Sequence, residues 1–154
     1  MIKILNKRGF LWKEDCAQII FNPVSVSRSK EGLNIFDSQL IHDYRFVYEE
    51  YKDLLYESSK KELLGEIQLV QIGEKKCIMN AFIYEGNKLN LKALTKTLIE
   101  LCNLIEEYEI AAAISSTVKC KEKTLHEEIL EIIHVVFDDC KSDVYLYNKK
   151  RINR

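Results

Sequence analysis

Residues 17–24 read AQIIFNPV, a β-branched run with the character of a buried strand. Pro23 is expected to close it, because proline has no N–H to give to a central ladder. Upstream, Ile2, Lys3, Ile4 and Leu5 read as a short opening strand. Downstream, residues 25–31 (SVSRSKE) are polar and loop-like. From Gly32 the spacing turns helical, with Leu33, Phe36, Leu40 and Ile41 recurring on one face. A second helical stretch repeats that pattern at Val47, Tyr51, Leu54 and Leu55 and ends near Ser58.

Residues 66–72 (EIQLVQI) alternate polar with apolar, the pattern of a strand with unlike faces. A turn at Gly73 and Glu74 leads to residues 76–82 (KCIMNAF), its expected hairpin partner. Residues 90–107 form the clearest helix, striped by Leu91, Leu94, Leu98, Leu101 and Ile105. Residues 110–114 (IAAAI) are short, apolar and flanked by polar positions, which fits a central parallel strand. Thr124 and Glu127 stand at capping-box spacing and start a helix carried on by Leu125, Ile129, Ile132, Ile133 and Val136. Residues 143–147 (DVYLY) close the series as a strand. Helices alternating with buried strands, with no repeat or compositional break, predict one α/β domain over residues 1–148. Its architecture is three-layered, α/β/α, with a mixed central sheet.

Composition excludes several classes. A chain of 154 residues, 47% hydrophobic and 31% charged, is an ordered globule rather than a disordered one. The 23 basic residues balance 24 acidic ones, so nucleic acid is not indicated as a partner. The last six residues, KKRINR, hold four positive charges and no acid, which leaves −5 on residues 1–148. This basic tail, 149–154, reads as a solvated terminus, with contact to phosphate or an acidic membrane surface as the other reading. No apolar run has the length of a membrane span, and the start lacks a signal-peptide pattern. Five cysteines, at 16, 77, 102, 120 and 140, include no C-x-x-C pair and no cysteine–histidine cluster at zinc spacing. Cys77 and Cys102 read as small core hydrophobes. Cys120 lies among lysines that lower a thiol pKa, with a bystander role as the other reading. A reduced, cytoplasmic protein is expected, with no metal and no cofactor implied.

Several stretches resemble one family when read in order. IIFNPVS at 19–25 is similar to the strand of macro domains that ends in asparagine, two small residues and a second asparagine. Gly32 opening a helix, YEEYKDLL at 48–55, GEIQLVQIGEKKCIMNAF at 65–82 and the closing strand, helix and strand follow in the family's order. The resemblance spans nearly the whole chain, and it implies a module that binds ADP-ribose.

The site positions depart from that family. Its glycine–aspartate pair, whose carboxylate recognises the adenine amino group, is represented by Gly9 and Phe10, with Glu14 or Asp15 as shifted substitutes. Asn22 is retained, but the second asparagine, which orients the distal ribose, is replaced by Ser25. The first phosphate loop reads SRSKEG at 27–32 and keeps only Gly32. The second reads SSTVKCKEKT at 115–124 and holds no glycine. Glycines let backbone N–H groups approach phosphate with no Cβ in the way. In their place stand cations: Arg28 and Lys30 in the first loop, Lys119, Lys121 and Lys123 in the second. The resemblance therefore implies polar contacts from Asn22, Ser25, Ser115, Ser116 and Thr117, with the cations meeting phosphate. The alternative for these lysines is solubility.

Catalytic patterns are sparse. No nucleophile-elbow glycine pattern occurs. His126 and His134 lie two helical turns apart, too far for one metal, and His42 is isolated. The adjacent acids (Glu49 and Glu50, Glu106 and Glu107, Glu127 and Glu128, Asp138 and Asp139) diverge around helices. Macro-domain hydrolases that pair a helix lysine with a second-loop acid find no lysine here from position 33 to 44, although Glu122 supplies an acid. A binding module for an ADP-ribose-related or other phosphorylated nucleotide is thus the leading expectation, and an enzyme is not favoured. A non-catalytic protein-interaction domain that has lost its ligand is one alternative, with aromatic contacts around positions 10–12 and 44–51. A weak ADP-ribosyl hydrolase is the other.

Overall fold

A computed structural model describes residues 1–7, 9–115, 118 and 124–149. Its strands are β1 (Ile2–Lys7), β2 (Ile19–Ser25), β3 (Ile67–Gly73), β4 (Lys76–Glu85), β5 (Lys88–Leu89), β6 (Ala112–Ser115) and β7 (Val144–Lys149). They form one sheet in the order β1-β7-β6-β2-β4-β3, with β5 also on β4. From β1 through β4 every pairing is parallel, whereas β3 and β5 run antiparallel to β4. The mixed sheet expected from the alternation of elements is therefore present.

Helices cover both faces. On one side lie α5 (Leu91–Tyr108) and α6 (Thr124–Phe137), whose Leu94, Leu98, Leu101, Ile105, Ile129, Ile133 and Phe137 are buried with Phe21, Met79 and Ile114. On the other lie α1 (Lys30–Leu33), α2 (Ser38–Asp43) and α3 (Arg45–Glu57), followed by the short α4 (Lys60–Leu63). Phe36, Leu40, Val47, Tyr51 and Leu55 pack there on Ile20, Val24, Ile78 and Phe82. Side chains alternate across β2, so Ile19 and Phe21 feed one core and Ile20 and Val24 the other. No helix among the described residues is long and apolar enough to cross a membrane.

Pro23 does not end its strand; β2 runs two residues further, to Ser25. The reason lies in which neighbour the nitrogen faces. The Ile19 amide donates towards β6, to Ala111 O, and alternation puts the Pro23 nitrogen on that same side. There the β2–β6 pairing has already stopped at Ile20↔Ala113, so no ladder bond is lost.

The helix expected from Gly32 to Ile41 is broken. Asp37 Oδ1 accepts from the backbone N–H groups of Gln39 and Leu40 at 2.8 and 3.2 Å, starting a new helix instead of continuing the old one. At the end of β4, Gly86 takes φ 61° and turns the chain into β5, a hairpin not expected from the sequence pattern. Asn90 caps α5 by accepting from Ala93 N at 3.0 Å.

Candidate functional site

The central strands β2 and β6 pair at only two positions, Ile19↔Ala112 and Ile20↔Ala113. Beyond these they part. The chain leaves β2 toward β3 and β4 on one side and leaves β6 toward β7 on the other, a topological switch point. Open α/β sheets bind ligands at that place, outside the carboxyl ends of the strands. A cleft of about 240 Å³ opens there, lined by residues 9–12 after β1, residues 20–23 of β2, Ile35, Asp37, Leu40, Tyr84, Ser115, Val118 and Tyr147.

One wall is aromatic. Gly9, at φ 111°, bends the chain after β1, and the Tyr147 hydroxyl donates to its carbonyl. Phe10 then stacks on Trp12 with ring centroids 5.0 Å apart and planes 8° from parallel. The buried indole donates from Nε1 to Asp43 Oδ2 at 2.8 Å, and Gln39 Nε2 donates to Asp43 Oδ1 at 2.9 Å. The Trp12 hydrogen bond first, then those of Gln39 and His42, hold the Asp43 carboxyl down to about 2. Lys76 Nζ fastens the same turn from below by donating to Trp12 O and Glu14 O at 3.1 and 2.6 Å. Phe10 thus stands where the resemblance expects a carboxylate. Among the described lining residues neither Glu14 nor Asp15 replaces it.

Asn22 forms part of the floor. Its Nδ2 donates to Asn80 Oδ1 at 2.8 Å, Asn80 Nδ2 donates to Gln68 Oε1 at 3.0 Å, and Gln68 Nε2 donates to Glu50 O at 3.0 Å. The last acceptor is a backbone carbonyl, which cannot donate, so the direction of every amide in the chain is set. Asn22 Oδ1 takes no hydrogen bond from the described residues.

Other expected ligand groups are engaged elsewhere. Ser25 is fully buried; its Oγ donates to Tyr84 O and accepts from Ser27 N, and its carbonyl accepts from the Tyr51 hydroxyl at 2.6 Å. Burial pushes the Tyr51 phenol up, which keeps it a donor. Ser27 and Ser29 link their hydroxyls at 2.8 Å, and Ser29 Oγ accepts from Gly32 N at 3.1 Å. Gly32 is required for packing: a Cβ there would lie 2.6 Å from Ser27 O and 2.9 Å from Ser25 Oγ. Arg28 lies over the Tyr56 ring and donates to the carbonyls of Leu55, Tyr56 and Ser58, closing the carboxyl end of α3. Lys30 is exposed at the start of α1. Asn22 and Ser115 line the cleft together. Ser116, Thr117, Lys119 and Lys121, with Cys120, Glu122 and Lys123, lie outside the described residues, as do residues 150–154 of the basic tail.

The aromatic wall was legible as a cluster at positions 10–12. Its support from Asp43, 31 residues on, and the contact of Asn22 with Asn80, 58 residues on, had no local signal, whereas the Asn80–Gln68 pair lies across the expected β3–β4 hairpin.

No protein-family model matches the sequence, and no curated protein matches it. Solved structures do. The macrodomain of Thermus aquaticus DarG superposes with a TM-score of 0.71 at 14% identity, over 96% of this chain and 98% of that one. The macrodomain of Mycobacterium tuberculosis DarG gives 0.71 at 19% identity, over 96% and 99%. Thermosipho africanus DarTG, solved in complex with ADP-ribose, gives 0.66 at 16% identity, over 90% of this chain and 40% of that one. The fold is that of a macro domain.

Proposed function

We propose that this chain is a macro-domain module that binds an ADP-ribose-related or other phosphorylated nucleotide between β2 and β6. The observation that carries the reading is the switch-point cleft, with Asn22 held on its floor by a relay of fixed direction. Asn22 Oδ1 accepts from a ribose hydroxyl, and the aromatic wall flanks the sugar or base. The complex of the Thermosipho africanus protein with ADP-ribose supports the ligand class. At about 240 Å³ the cleft is close to the lower end of small-molecule pockets, roughly 300–1,000 Å³, so it encloses part of such a ligand. In this reading Lys119 and Lys121 meet the phosphates, and Lys30, exposed at the start of α1, is a further cationic contact. Arg28, Ser25 and Gly32 act on the loop's own architecture.

Asp37, an acidic side chain of the lining, is engaged in capping α2 through its carboxylate. Isothermal titration against ADP-ribose, its cyclic isomers and related nucleotides tests the reading. Saturable binding of at least one, weakened roughly tenfold by Asn22→Ala, about 1.4 kcal/mol, is expected. No binding across the panel at millimolar ligand overturns it. Release of ADP-ribose from a mono-ADP-ribosylated protein is expected to match the buffer control.

A further inference from the structure

At the end of the sheet opposite the cleft, Cys102, Glu106 and Cys140 bring two sulfurs and a carboxylate oxygen within 4.8 Å of one another. We propose that these three side chains form a site for a thiophilic divalent cation, with Zn²⁺ the best chemical fit. Two sulfurs and one oxygen are a donor set that zinc accepts at about 2.3 Å and 2.0–2.2 Å, with a fourth position left for water. Cys102 Sγ already lies 3.2 Å from Glu106 Oε1, a separation that ligands of one tetrahedral ion adopt after a small adjustment.

The donors are held by the fold. Cys102 and Glu106 stand four residues apart on α5, one turn above the other, on a helix whose Leu101 and Ile105 are fully buried. Cys140 follows α6, fixed by its N–H to Phe137 O at 3.1 Å and by its carbonyl, which accepts from the Met1 ammonium at 3.0 Å. Both sulfurs are buried, whereas Glu106 borders an open polar depression lined by Gln18, Glu109, Lys141 and Asp143. A cation enters, and its water is supplied, from that side. The two thiol protons leave to solvent as the metal–sulfur bonds form.

Co²⁺ added to the full chain, reduced with a non-thiol reductant, reads the site directly. One equivalent is expected to produce a thiolate-to-cobalt charge-transfer band and the visible bands of a tetrahedral ion, both bleached by Zn²⁺. Cys102→Ser and Cys140→Ser should lose the charge-transfer band, while Cys16→Ser and Cys77→Ser keep it. Glu106→Gln, at the surface end of the site, should keep the fold by circular dichroism and weaken Zn²⁺ binding roughly tenfold or more. No charge-transfer band in the reduced wild type overturns the proposal. So does a band that survives loss of both cysteines, or a Glu106→Gln variant of unchanged affinity. A Cys102–Cys140 disulfide that forms equally fast with Zn²⁺ present also overturns it. None of these results bears on nucleotide binding at the other end of the sheet.

Discussion

Trp12 is the chain's one tryptophan, so its fluorescence reports on a single indole, whose Nε1 donates to Asp43. Asp43 has a folded value lowered to about 2. Its contribution to stability is therefore complete above the unfolded value, about 4, and is lost as pH falls through 2. An emission change with a midpoint near pH 2 is expected in the wild type and absent in Asp43→Asn. Tyr51 makes a different kind of contact, a buried hydroxyl satisfying the Ser25 carbonyl. Tyr51→Phe leaves that oxygen without its donor and should cost about 1–2 kcal/mol in urea unfolding. Gly32→Ala forces a Cβ against Ser27 O and should cost about 1–3 kcal/mol. The glycine that resemblance assigns to a phosphate loop thus has a packing reason to be there.

Individual elements carry their own tests. The Asn90 cap secures the start of α5, and Asn90→Ala should lower stability by about 1 kcal/mol. Arg28 joins the loop after β2 to the end of α3 through three carbonyls, so Arg28→Ala should destabilise by about 1 kcal/mol and leave nucleotide affinity unchanged. A tenfold affinity loss in that variant would return Arg28 to the ligand. Element types were readable where the periodicity was strong, as in α3, α5, α6 and the β3–β4 hairpin. Ends and breaks were less so. Pro23 reads as a terminator only if both neighbours pair along the whole strand, and the break at 34–37 depends on Asp37 out-competing helix continuation.

At the scale of the molecule, ligand binding and stability are linked. A nucleotide at a hundredfold its Kd stabilises the folded chain by about 2.7 kcal/mol, a rise in Tm of roughly 5–10 °C. Such a shift with ADP-ribose, absent with ribose alone, is the expected thermal signature of the cleft. The amino-acid sequence by itself determined the alternation of helices and buried strands, because apolar periodicity and local caps act between residues a few positions apart. From that order the three-layer mixed sheet follows. Only the tertiary structure decided what each polar side chain does. Ser25 and Arg28 carry the right chemistry for a ligand, yet folding gives them backbone partners 59 and 27 residues away. Cys102 and Cys140 share no sequence motif, yet α5 and the turn after α6 bring them together. Hydrogen bonds and donor sets depend on distances of a few ångströms in space, and chain spacing does not encode those once the partners lie on different elements.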